Sequence, residues 1–124
     1  MFARTVVSPD TVKCTTDTSL QEAAKLLSAN SAPVPVVDQK GKVAGLFTVK
    51  GMARAILDGL KPQSSIGDYL DDAIVVKEDA LVSGLVGYPL ERIVVEDEQG
   101  QLLGTISLEK MIEQGKFRRD LYYR

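Results

Sequence analysis

Histidine and tryptophan are absent from this sequence, and cysteine occurs once. Without histidine there is no ordinary general base near neutral pH, no Ser-His or Cys-His nucleophile pair and no His-ligated metal site. The chain is therefore read as not an enzyme. Cys14 cannot close an intramolecular disulfide, and with no imidazole to activate it, it is expected to be a small buried thiol. Also missing are an apolar run near the roughly 20 residues a bilayer span requires and a signal-peptide core behind Met1-Phe2-Ala3-Arg4. No membrane partner is expected, and the protein is expected to be cytoplasmic. Nor is there an excess of one charge sign: 15 Lys and Arg against 17 Asp and Glu leave a formal net charge of -2, so the whole chain has no strong attraction for nucleic acid or anionic lipid.

What the 124 residues do contain is enough apolar matter, 44%, for one globular unit near the usual domain size. They also contain an internal repeat. Val34-Pro35-Val36-Val37-Asp38-Gln39-Lys40-Gly41 aligns with Ile93-Val94-Val95-Glu96-Asp97-Glu98-Gln99-Gly100 at an offset of 59, and Gly45-Leu46-Phe47-Thr48 falls on Gly104-Thr105-Ile106-Ser107. Upstream, Val12 matches Ile74 and Thr16-Asp17-Thr18 matches Glu78-Asp79-Ala80 at an offset of 62, so the second copy is three residues shorter between these points.

The shortening falls in or just after a helix whose stripe is Leu20, Ala23, Ala24 and Leu27. Asp17, Thr18 or Ser19 can cap it, with Thr18-Gln21 and Ser19-Glu22 both at capping-box spacing. The second copy keeps Val82, Leu85 and Val86, but Gly84 and Gly87 weaken a helix by about 1 kcal/mol each and Pro89 ends it, so a short, frayed helix is expected. Two strands joined by the Asp-Gly turn follow, then a helix with Val49, Met52, Ala53 and Ile56 on one stripe in copy one, and Leu108, Met111 and Ile112 in copy two. Gly59 and Gly115 stand where helices end in a left-handed turn. Each copy reads strand, helix, strand, strand, helix, and the Pro and Ser of Lys61-Pro62-Gln63-Ser64-Ser65 place a boundary near residue 62. The expected division is 1–62, 63–115 and a distinct tail at 116–124.

The two Asp-Gly hairpins, the strands ending in Thr48 and Ser107, and the lead-in Ser65-Ile66-Gly67-Asp68-Tyr69-Leu70 together resemble a tandem pair of CBS domains, a Bateman module, over residues 1 to about 115. The resemblance implies an α+β fold of α/β-sandwich character, with two βαββα repeats packed sheet to sheet about a pseudo-two-fold axis. It implies homodimers, and clefts between the repeats that hold AMP, ADP, ATP or S-adenosylmethionine and regulate an enzyme, transporter or transcriptional activator. Thr48 and Ser107 match the family's hydroxyl position, where a helix N-terminus favours phosphate. The family's ribose-binding Asp is replaced by Gly51 and Lys110, while Lys50 and Lys110 add positive charge. By position the cleft walls are Val12, Val34, Pro35 and Val36 in copy one and Ile74, Ile93, Val94 and Val95 in copy two, all of which also suit plain core packing. Asp10 and Asp72 are taken as turn or cap residues. The expected function is a ligand-sensing regulatory module, with a ligand-free dimerisation or protein-interaction module as the alternative.

The tail Gly115-Lys116-Phe117-Arg118-Arg119-Asp120-Leu121-Tyr122-Tyr123-Arg124 leaves the repeat pattern and resembles a segment of the AAA+ domain of bacterial enhancer-binding transcriptional activators. No Walker A loop accompanies it, so ATPase activity is not expected. Three readings stand open: a helix packing on its own module, a segment tied to a transcriptional activator, or a docking element through Phe117, Leu121 and Tyr122. Four cations in a net acidic chain are a weak signal for nucleic acid.

Overall fold

Asp38 and Asp97 show how closely the sequence repeat is reproduced in three dimensions. In the computed structural model, which describes residues 1–8, 11–30 and 33–114, Asp38 Oδ1 accepts from the backbone N–H groups of Lys40 and Lys42 at 2.8 and 3.0 Å, and Asp97 Oδ1 from those of Gln99 and Gln101 at 2.9 Å each. These side-chain bonds tie the turn to itself. The turn then demands a left-handed residue, and Gly41 and Gly100 supply it at the same φ of 81°.

Each turn joins two strands of a three-stranded sheet. The first sheet holds β1 (Cys14–Thr15), β2 (Val34–Val37) and β3 (Val43–Phe47); the second holds β4 (Ile74–Lys77), β5 (Ile93–Glu96) and β6 (Leu102–Thr105). In both, the first strand runs parallel to the central one and the hairpin partner antiparallel, with a bulge at the same place, after Val36 and after Val95. All four residues of β2 are buried, as are Ile93, Val94 and Val95 of β5. A strand buried on both sides needs a layer against each face. For β2 those layers are α1 (Leu20–Asn30) and β6 of the second copy. The result is the mixed α+β fold of two small sheets and three helices that the repeat pattern implies.

Details of the first helix differ between the copies, as the shortening requires. α1 is capped by Ser19, whose Oγ accepts from Glu22 N at 3.2 Å, and it buries Leu20, Ala23 and Leu27. Thr18 is engaged elsewhere, accepting from Thr15 N at 2.9 Å. In place of a helix the second copy has two 3-10 turns, one at Leu90–Arg92 and, before it, one at Val82–Leu85, which buries Leu85 and leaves Val86 exposed. The helix expected there does not extend past this turn, because Gly87 takes a φ of 98° and Pro89 follows two residues later. The first strand of copy one also starts later than expected: Val12 lies two residues before β1, half-buried.

A larger difference concerns the second helices, α2 (Val49–Leu57) and α3 (Leu108–Gln114). The expected stripe of Val49, Met52, Ala53 and Ile56 is not the face that α2 buries. It buries Gly51 and Ala55, leaves Met52 half-buried, and exposes Val49, Ile56 and Leu57, the last at 84%. Leu108 and Ile112 of α3 are exposed in the same way. Gly59 ends α2 at a φ of 79°, with Leu60 N donating to Ala55 O at 2.9 Å. Gly115 and the tail at 116–124 lie outside the described residues.

The small face of α2 is needed because the chain exchanges segments between the copies. The lead-in to the second copy, residues 64–71, packs on the first: Ile66 is fully buried in the core formed by Cys14, Leu20, Ala23, Leu27, Val34, Val36, Phe47 and Ala55. Asp71 and Leu46 exchange two backbone hydrogen bonds of 2.8 Å. Conversely, the N-terminal segment packs on the second copy. Ala3 N donates to Ala80 O at 2.8 Å, Ser8 N to Thr105 O at 2.8 Å and Ser107 N to Val6 O at 2.7 Å, and Ala3 and Val6 are fully buried. Both lead-ins run over a glycine of the facing strand. A Cβ on Gly45 would stand 2.8 Å from Asp71 O, and one on Gly104 2.6 Å from Thr11 Oγ1.

Candidate functional site

The exchanged lead-ins bring Thr48 and Ser107 to equivalent junctions, where the end of a hairpin strand, the start of a helix and the other copy's lead-in meet. Each hydroxyl caps its helix: Thr48 Oγ1 accepts from Gly51 N at 3.1 Å, and Ser107 Oγ from Lys110 N at 3.2 Å. From that point the two junctions differ in charge and in room.

At Thr48 the hydroxyl is committed twice, since it also donates to Asp71 Oδ2 in a short hydrogen bond. The other carboxylate oxygen pairs with Arg54 at 3.3 Å, the Asp71 side chain being 19% exposed and that of Arg54 44%. Gly51 is roofed by the lead-in backbone, for a Cβ built there would collide with Tyr69 O. One turn further on, Tyr69 donates its hydroxyl to Asp58 Oδ2 at 3.0 Å, and that bond is the main reason its pKa lies above the usual phenol value. Lys50 points to solvent.

No carboxylate of the described residues touches the Ser107 hydroxyl. In place of Asp71 stands Ser8, whose N–H is bonded to Thr105 O just as Asp71 N is bonded to Leu46 O. Thr11 Oγ1 donates to Ser8 O at 3.0 Å, accepts from Thr105 N at 3.0 Å and lies 3.4 Å from Thr105 Oγ1. Lys110, where copy one has Gly51, is half-buried. Among the described residues the junction thus holds the neutral hydroxyls of Thr11, Thr105 and Ser107, with Lys110 in the first turn of α3.

The anticipated wall residues divide between core and junction. Val34, Pro35 and Val36 are buried in β2, opposite Phe47, Leu46 and Gly45, and Ile93, Val94 and Val95 are buried in β5. Val94 pairs with Thr105 and so adjoins the Ser107 junction, whereas Ile74 lines a different groove. That groove, of about 470 Å³, runs between β4 and the 3-10 turn, bounded by Val75, Leu81, Leu85 and Tyr88. A second, of about 370 Å³, lies between α1 and α2 against Leu20, Met52, Ile56 and Leu60. Neither groove reaches Thr48 or Ser107. Asp72 accepts from Arg92 through its backbone carbonyl at 2.8 Å, and Asp10 lies outside the described residues.

Sequence reasoning missed Asp71, Ser8 and Thr11, which reach the junctions through the exchange, and Arg54 and Thr105, which meet them from the junction's own helix and strand. Cys14 is buried, which pushes its thiol up to about 11 against a smaller opposing pull from Thr18. Among the described residues there is no group of three or more metal-ligating side chains, and no helix is long and apolar enough to cross a membrane.

Residues 3–58 match the family model described as CBS domain. The chain has the fold of a CBS domain pair. Solved structures match it almost end to end at low identity: 20% to the CBS domain pair of protein MJ0100 in complex with 5'-methylthioadenosine and S-adenosyl-L-methionine, covering 95% of this chain and 98% of that one at a TM-score of 0.71. For CBSX2 in complex with AMP the values are 17%, 95% and 98%, at 0.74. Among curated proteins, it is 26% identical over 117 residues to inosine-5'-monophosphate dehydrogenase of Methanocaldococcus jannaschii, and it spans 23% of that protein's length.

Proposed function

We propose that this CBS pair is a non-catalytic, cytoplasmic ligand-sensing module that binds an adenine nucleotide or related anionic adenosine ligand and passes its bound state to a partner. The observation that carries the reading is the Ser107 junction, where the Thr11 and Thr105 hydroxyls lie 3.4 Å apart and the Ser107 hydroxyl, with no carboxylate on it among the described residues, caps a helix that carries Lys110 in its first turn. Hydroxyl donors at a helix start, with a lysine in its first turn, suit a phosphate better than a carboxylate-lined wall would. That CBSX2 and the MJ0100 pair are solved with AMP and with S-adenosyl-L-methionine supports the ligand class. The Ser107 and Lys110 side chains would meet the anionic part and Val94 would border it; Thr48 and Lys50 mark the equivalent place in copy one, and Val12, Val34, Pro35, Val36, Ile93 and Val95 would form the apolar framework behind the two places, with Ile74 apart from them. Because ligand contacts would come from the lead-in at Thr11 and from residues 104–110 together, binding would favour one arrangement of the lead-in over another, which is a population shift that a partner can read. The partner classes are an enzyme, a transporter or a transcriptional activator.

Isothermal titration with AMP, ADP, ATP and S-adenosylmethionine, with and without magnesium, tests the reading. Micromolar binding of one of them that Ser107→Ala weakens at least tenfold supports it; silence across the set refutes it.

A second reading, a dimerisation or protein-interaction module without ligand, is favoured by the exposed apolar stripe Val49, Ile56 and Leu57 on α2 and Leu108 and Ile112 on α3. Sedimentation of the wild type against Ile56→Glu/Leu57→Glu distinguishes a homodimer through this face from a monomer.

A further inference from the structure

The two helix N-termini are offered to a ligand on unequal terms, and one residue makes the difference. At α2 the Thr48 hydroxyl, the guanidinium of Arg54 and the start of a nine-residue helix form the ingredients of an anion site, and an anion is already there. It is the carboxylate of Asp71, delivered by the other copy's lead-in and fixed by two backbone hydrogen bonds to Leu46. Asp71 Oδ2 takes the Thr48 proton and Oδ1 takes Arg54, so both donors are satisfied internally.

We propose that Asp71 is a built-in anion that occupies the Thr48-capped start of α2 and closes it to phosphate, so that copy one contributes no ligand position. An incoming phosphate there would meet a fixed carboxylate at hydrogen-bond range and would have to displace it from two partners. At the equivalent point of copy two, Ser8 carries no charge and leaves the Ser107 hydroxyl without a carboxylate neighbour among the described residues. The inference rests on the ligand-sensing reading for its nucleotide consequence only; the occupancy of the α2 start by Asp71 stands apart from it.

The test therefore has two arms, both on the full chain. In the first, unfolding midpoints are measured in sodium sulfate against sodium chloride of equal ionic strength for the wild type, Asp71→Ser and Asp71→Ser/Thr48→Ala. Vacating the site leaves Thr48 and Arg54 as free donors, so Asp71→Ser should gain an added sulfate shift of about 3–6 °C at tenfold saturation. The wild type and the double variant should show only the general sulfate effect. Equal shifts in all three overturn the proposal without touching the nucleotide reading. If Asp71→Ser does not fold, Asp71→Asn, which keeps the shape and removes the charge, takes its place with the same comparison. In the second arm, AMP is titrated. Asp71→Ser should bind one equivalent more than the wild type, and Thr48→Ala should bind as the wild type does. If wild-type binding is abolished by Thr48→Ala or by Asp71→Ser, those residues hold the ligand and the proposal fails. If AMP binds none of the proteins, the nucleotide reading fails while the sulfate arm still decides the role of Asp71.

Discussion

Replacing Gly51 with Ala isolates the steric reason for a residue that otherwise looks like a missing ligand group. Two effects of opposite sign compete. In the first turn of α2, Ala is favoured over Gly by up to about 1 kcal/mol of helix propensity. Against this, the new Cβ meets Tyr69 O, which cannot retreat freely because Tyr69 N is bonded to Ile66 O at 2.9 Å and Asp71 and Leu46 hold each other through two 2.8 Å bonds. Overpacking against a fixed backbone typically costs about 1–3 kcal/mol. The lead-in is pinned at both ends, so the upper half of that range applies. The expected net effect is a loss of about 1–2 kcal/mol. For a chain of this length that lowers the melting midpoint by roughly 4–8 °C. Urea denaturation followed by far-UV circular dichroism gives the same quantity independently. The equivalent position supplies the control, since Lys110 already carries a side chain there: Lys110→Ala should be neutral or slightly stabilising. A Gly51→Ala variant as stable as the wild type, or more so, would refute the close approach of the lead-in. It would return Gly51 to the status of an ordinary lost ligand group.

Ile66→Ala in the full chain should cost about 2–5 kcal/mol, the range for emptying a fully buried aliphatic site, whereas Ile56→Ala on the exposed face should cost less than about 1 kcal/mol in a monomer. Urea midpoints that rank the two the other way would contradict the exchange of lead-ins. Cys14, whose thiol is pushed up to about 11 by burial, should react with a chromogenic disulfide at pH 8 about 100-fold more slowly in the native chain than in urea. The unfolded thiol ionises first. Stability from this group is therefore full below pH 9 and falls as the pH rises from 9 through 11, by about 1–2 kcal/mol after screening, and Cys14→Ala should lack this loss when denaturation is followed over that window. Ser107→Ala removes the cap of α3 and should lower stability by about 1 kcal/mol with the fold retained, measured by the same denaturation.

The parts of this fold that could be read in the sequence are those in which cause and effect lie within a few residues. Asp38 with Gly41, and Asp97 with Gly100, specify their turns through bonds to the next two to four residues, and both hairpins are where the offset of 59 puts them. Thr48 and Ser107 are local caps and were legible for the same reason. Gly87 and Pro89 stop the second copy's first helix as their chemistry requires, only sooner than expected. The outward turn of the α2 stripe was not legible, because nothing between residues 49 and 57 announces that Tyr69 will lie on Gly51. A stripe counted on its own helix identifies an apolar face but not the surface that covers it. Asp71 was missed for a related reason. It reaches Thr48 across 23 positions in sequence, and its structural equivalent is Ser8, a residue with which it shares no chemistry.

That last equivalence bears on how a duplicated module becomes asymmetric. The hairpins, whose geometry is set by Asp and Gly, match in their turn hydrogen bonds and glycine φ, while the lead-ins match in backbone pairing and not in side chain. Ser8 and Asp71 make the same N–H bond to the facing strand, to Thr105 and Leu46 respectively, and differ entirely in what their side chains bring. Backbone pairing tolerates any side chain that the neighbouring glycine leaves room for, and Gly104 and Gly45 provide that room in both copies. The lead-in position is therefore free to vary without loss of fold, yet it sits within reach of a helix-capping hydroxyl. A substitution there changes the charge at a candidate ligand position by a full unit at little structural cost, which is why Asp71 and Ser8, more than Gly51 and Lys110, separate the two halves of this chain.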